Sequence, residues 1–154
     1  MPAEPLSHLM HTLTIFIVFV SILAVFQAYT LYSYTDALKH QLADIEGYVS
    51  SVATDLVILA TRSKLENITL TKTLNLPESV GTYGYTVKLE NRGEDCVLVI
   101  YLDARPSVKV ESILPVKNVT CSGVVYSGSR NPRICCSRVL NADGSYNMTL
   151  RLEG

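Results

Sequence analysis

LTIFIVFVSILAVFQA, residues Leu13 to Ala28, decides how the rest of the chain is read. No charged side chain occurs between Glu4 and Asp36, so the block and its flanks exceed the roughly 20 apolar residues that an α-helix needs to cross a bilayer. No proline or glycine follows Pro5 until Gly47, which leaves nothing to break a helix. The block is too long for a cleaved secretory signal and has no A-x-A-like site. It is read as a retained segment, or as a mature N-terminus whose leader is absent. Thr12, Thr14, Ser21 and Gln27 are tolerable in such a span and able to bond across helices. Tyr29, Tyr32 and Tyr34 gather at its C-terminal edge, as rings do at a membrane interface.

Outward from the block, the chain turns polar without losing helical period. Leu38, Leu42, Ile45, Val49, Val52, Leu56 and Leu59 recur at alternating steps of four and three, an a/d stripe about three heptads long. Leu13, Phe16, Val20 and Leu23 supply helix-packing positions in the apolar half. The first expected unit is therefore one helix over residues 1–62, roughly 85 Å long if continuous. Two uses of the stripe stand side by side: covering one side of the chain's own β-domain, or forming a self-associating seam. Glu46, Tyr48, Ala53 and Asp55 offer no complementary charge pairs for a dimeric zipper. Ala43, Val57, Ile58 and Ala60 widen the face and tilt the reading toward burial on several sides.

After Arg62 the period changes to alternation. Apolar positions alternate through Ile68–Leu76 and through Tyr83, Tyr85, Val87 and Leu89, while Cys96–Leu102 is apolar on both faces and reads as a central strand. Further β-like runs span 107–114, 118–126, 134–140 and 146–152. They are punctuated at Pro77-Glu-Ser, Asn91-Arg-Gly, Ser127–Pro132 and Asn141-Ala-Asp-Gly. About seven short strands at this spacing predict a β-sandwich over residues 63–154. The expected fold class is α+β, a lollipop with a long apolar helix as its stick.

All four cysteines, Cys96, Cys121, Cys135 and Cys136, lie in the C-terminal part. An even number in a small domain behind a membrane-targeting segment argues for disulfides and an oxidising, extracytoplasmic location. Four cysteines allow three pairings. Joining the neighbours Cys135 and Cys136 demands a strained link, so Cys96 and Cys121 are each expected to take one of them. Three N-x-S/T sequons, at Asn67, Asn118 and Asn147, agree with that side of the membrane and are candidate glycosylation sites. Since Lys39 is the only base near the span, orientation rests on the cysteines and sequons.

Several chemistries find no support. His8, His11 and His40 all lie on or before the helix, away from the β-domain. No G-x-S-x-G, H-E-x-x-H or phosphate-binding glycine loop occurs, Gly81-Thr-Tyr-Gly reading as turn glycines, so no enzyme is expected. Zinc is disfavoured because the cysteines lack C-x-x-C spacing, and Glu94, Asp95 and Asp103 read as solvated loop charges rather than a calcium site. No metal or cofactor is expected. The net charge of −1 points to no nucleic-acid partner, and Arg130, Arg133 and Arg138 read as a solvated face.

The layout resembles the archaeal type IV pilin and archaellin superfamily. The likeness is carried by the helix exit Val52-Ala-Thr-Asp-Leu-Val-Ile-Leu-Ala-Thr-Arg62 and by Leu76-Pro-Glu-Ser-Val-Gly-Thr-Tyr-Gly-Tyr-Thr-Val-Lys-Leu89, similar to the LPxxVG…YxV run that leads into a core strand there. The family's basic leader has no counterpart in Pro2–His8. The resemblance implies a pilin-like subunit, inserted in the membrane before assembly. Its helices then bundle into the core of an extracellular cell-surface filament, a helical homo-polymer for adhesion or motility, with glycosylated β-domains outside. Surface glycans or host surfaces are the further partners implied. The alternative of a different class is a bitopic membrane-anchored protein that presents a β-sandwich binding module on a helical stalk. Such a stalk needs only one stripe, so the extra apolar residues Ala43, Val57, Ile58 and Ala60 tilt the choice to the filament.

Overall fold

The computed structural model describes residues 4–141 and 144–154, with side chains from His8 onward. Among these residues one helix, α1 (Glu4–Arg62), precedes seven strands: β1 (Ile68–Thr73), β2 (Tyr85–Arg92), β3 (Asp95–Leu102), β4 (Arg105–Ile113), β5 (Val119–Tyr126), β6 (Arg133–Leu140) and β7 (Tyr146–Glu153). This is the expected α+β chain, a long N-terminal apolar helix followed by a seven-stranded sheet. Pro5 falls in the first turn of α1, where its missing N–H has no intrahelical partner to lose. Of the turn expected at Asn141-Ala-Asp-Gly, Ala142 and Asp143 lie outside the described residues. Hydrogen bonds from Gly144 N–H to Asn141 C=O (3.0 Å) and from Asn141 N–H to Ser145 C=O (2.8 Å) close it.

The strands differ from the expected sandwich in one respect. They join a single hydrogen-bonded sheet in the order β1-β6-β7-β5-β2-β3-β4, mixed because β5 and β7 run parallel. The second layer is helical rather than a second sheet. Leu38, Leu42, Ile45, Val49, Val52, Ala53, Leu56, Val57 and Ala60 are buried in one cluster with Tyr85, Leu98, Ile100, Leu102, Ile134 and Leu150. A sheet with one apolar face needs one covering layer, and the amphipathic half of α1 supplies it within the same chain.

Two compact units result, residues 1–37 and 38–154, so the division falls inside α1 and not at its end. The physical reason is the stripe: from Leu38 on the helix belongs to the core of the sheet.

Strand β5 is shared between two halves of the sheet. Its first residues pair with β7 through Gly123↔Leu152, and its later ones with β2 from Leu89↔Gly123 to Thr86↔Tyr126. Gly123 stands at the changeover with φ +119°, and a Cβ there would lie 2.2 Å from the Leu152 carbonyl oxygen. Only glycine accepts both that backbone angle and that approach.

Candidate functional site

The first candidate surface lies in the unit of residues 1–37. The six consecutive side chains Ile15 to Val20 are each between 46% and 70% exposed. Successive helical residues step round the axis by about 100°, so such a run has no polar face anywhere on the circumference. The hydroxyls in the segment turn inward on their own helix. Thr12, Thr14, Ser21, Thr30 and Thr35 each donate to the carbonyl four residues earlier, at 2.8–2.9 Å. These bonds within α1 hide the polar hydrogens of Thr12, Thr14 and Ser21 from an apolar medium. Leu13, Phe16, Val20 and Leu23 are all exposed, as are Tyr29, Tyr32 and Tyr34. The helix is long and apolar enough to cross a membrane.

The heptad stripe divides. Leu38, Leu42, Ile45, Val49, Val52 and Leu56 are buried against the chain's own sheet, whereas Leu59 is 58% exposed. Val57 and Ala60 are buried there too, which removes them from any outward face; Ile58 remains exposed. Packing on the sheet is thus the observed use of the stripe. The wider apolar face read from the sequence is explained largely within this unit.

The cysteines pair differently from the expectation. Cys96 on β3 and Cys121 on β5 are bonded to each other, with Cα atoms 5.7 Å apart, and Cys135 and Cys136 are free thiols. Both bonded residues point to the buried face, near Asn91 of β2. Asn91 pairs with Cys96, and its side-chain Oδ1 accepts from Cys121 N–H at 2.9 Å. Cys135 and Cys136 fall on opposite faces of a regular strand, so neither reaches the other. Cys136 is buried in the core, and burial, with Cys135 beside it, pushes its thiol pKa up. Cys135 is half-buried on the outer face, 2.9 Å from Thr71 Oγ1.

The sequons gain an arrangement that the linear sequence hides. Ile68, Arg138, Met148 and Val119 form one register row across β1, β6, β7 and β5. Asn67, Asn147 and Asn118 each immediately precede a member of that row, on strands that run the same way, so all three lie at one end of the sheet. All are exposed. Asn67 Oδ1 accepts from Leu140 N–H at 3.1 Å, and Asn118 holds a left-handed φ of 58°.

Arg138 corrects the reading of the basic cluster. It is only 7% exposed, and its guanidinium donates to carbonyls at the end of α1: from Nη1 to Ala60 (2.6 Å), Thr61 (3.1 Å) and Ser63 (3.1 Å), and from Nη2 to Leu65 (3.3 Å). Arg133 is exposed and pairs with Glu153, and Arg130 is exposed. The solvated reading therefore fails for Arg138 alone. Its only sequence signal was its place at a core-facing position of an alternating strand.

Among the described residues no cluster of three or more His, Cys, Asp or Glu forms a metal-binding group. Asp95 and Asp103 flank opposite ends of β3, and Asp103 accepts from Thr86 Oγ1 at 2.5 Å. No protein-family model, curated protein or solved structure matches the chain.

Proposed function

We propose that the chain is a structural subunit of an extracellular filament of the archaeal type IV pilus-like class. Its apolar helices would bundle in the filament core, with the sheet-bearing units outside, in the service of adhesion or motility. The observation that carries this reading is the segment Ile15–Val20, apolar round the whole helix and exposed in the single chain. Lipid shelters such a surface before assembly, and neighbouring copies of the same helix shelter it afterwards. The disulfide and the three exposed sequons at one sheet end support an extracytoplasmic position for the second unit.

A second reading keeps a specific observation of its own. The heptad stripe is largely consumed by the chain's own sheet, which is all that a membrane-anchored module on a helical stalk requires.

The deciding experiment is electron microscopy of material sheared from producing cells, with mass spectrometry of the purified fraction. Thin filaments that contain this chain are the expected result. A chain that stays with washed membranes, and extracts in detergent only as small oligomers, sinks the filament and leaves the anchored module.

A further inference from the structure

The end of the sheet opposite the sequons carries a cleft of about 400 Å³. It opens between the segment that follows β1 and the β5–β6 loop, and strand length separates it from the row of sequon asparagines by about 20 Å. Its framework is pinned by hydrogen bonds from backbone N–H groups. Leu74, buried and 2% exposed, donates its N–H to Pro132 C=O at 2.7 Å. Asn75 N–H donates to the Tyr48 hydroxyl of α1 at 3.3 Å, and Ser129 N–H to Tyr126 C=O at 3.2 Å. The walls are thereby set before any ligand arrives.

Asn75, Glu78, Tyr126, Arg130 and Asn131 line this space, and Tyr126 is 62% exposed. An exposed tyrosine ring can stack on the C–H face of a pyranose, while amides both donate to and accept from vicinal hydroxyls and a carboxylate accepts from them. Glu78 and Arg130 cancel in formal charge, which favours a neutral ligand over a polyanion. The lining holds no cysteine or histidine, and the chemistry is that of recognition. Neither asparagine is followed by x-Ser/Thr, so the cleft is not itself a sequon.

We propose that this cleft is a binding site for a neutral saccharide. The site is complete within one chain and does not depend on polymerisation, so it stands or falls apart from the filament reading.

The test uses the full chain in detergent micelles, unpolymerised, on an immobilised array of neutral and uronate-containing oligosaccharides, with retained compounds titrated by calorimetry. At least one neutral saccharide is expected to bind. Tyr126→Ala and Asn131→Ala should each weaken it about tenfold, while Tyr126→Phe, which keeps the ring, stays within about twofold. Unchanged thermal melting of Asn131→Ala keeps the result interpretable should Tyr126→Ala fold poorly. Retention of no saccharide, retention of uronates alone, or binding indifferent to both alanine variants overturns the proposal.

Discussion

The guanidinium of Arg138, on strand β6, lies 2.6 Å from the carbonyl oxygen of Ala60, in the last turn of α1. The final carbonyls of a helix have no intrahelical donor, and a cation is favoured at that end of the helix dipole. One side chain here meets four of the carbonyls at and just past the helix end and lies 4.0 Å from the Tyr146 ring centroid. It is one of the polar ties between helix and sheet, alongside the Ser112 hydroxyl of β4, which donates to the Glu46 carboxylate of α1.

Replacing Arg138 by Met should therefore destabilise the unit of residues 38–154 by about 2–4 kcal/mol, because the buried Ala60 carbonyl and three part-buried ones lose their donor. Arg138→Lys should recover little of this, since an ammonium does not reproduce the planar fork. Arg133→Met, at the exposed pair with Glu153, should stay within about 0.5 kcal/mol of the parent. Denaturant titration of the three variants in detergent checks the contrast, and equal effects at positions 133 and 138 would refute it.

Two glycines should respond in opposite directions to alanine. Gly123→Ala forces a Cβ to within 2.2 Å of the Leu152 carbonyl at a positive φ, and should cost about 2–4 kcal/mol. Gly47 lies within α1 with nothing near the added atom, so Gly47→Ala should stabilise by about 0.5–1 kcal/mol. Thermal melting of both variants reads the two signs.

Thiol chemistry tests the pairing. In the unreduced native protein Cys135 should alkylate first, and Cys136 only on unfolding, since it is buried and its thiol pKa is raised. Cys96 and Cys121 should label only after reduction. Peptide mapping that finds either of them linked to Cys135 or Cys136 would contradict the structure. Cys96→Ser with Cys121→Ser should cost about 3 kcal/mol, given a loop of 25 residues.

Acid should loosen one outer-face ion network. Glu111 accepts from Lys109 Nζ at 2.7 Å and from Arg92 Nη1 at 3.0 Å, which holds its carboxyl down at about 2 against an ordinary 4.5. A depressed folded-state pKa means that the stabilising contribution is full above 4.5 and is lost as pH falls toward about 2. Stability measured across that window should fall less steeply in Glu111→Gln than in the parent. The groups are exposed, so molar salt should shrink the difference.

Much of this architecture is legible in the order of residues. The unbroken run from Pro5 to Gly47 specifies a helix, because nothing in it resists one, and alternating or continuous apolar runs after Arg62 locate all seven strands to within a few residues. The chain also determines by itself that Ile15–Val20 is apolar on every side, since helical geometry turns six consecutive residues through the full circle. Pairing was decided elsewhere. Which strands neighbour one another, that the helix covers the sheet as its second layer, that Cys96 meets Cys121, and that Asn67, Asn118 and Asn147 share one end all depend on contacts between residues far apart in sequence. Local periodicity assigns each residue a face, and only the closed sheet assigns that face a neighbour. Arg138 shows the consequence: its charge suggested solvent, and its partners came from a helix end more than seventy residues earlier in the chain.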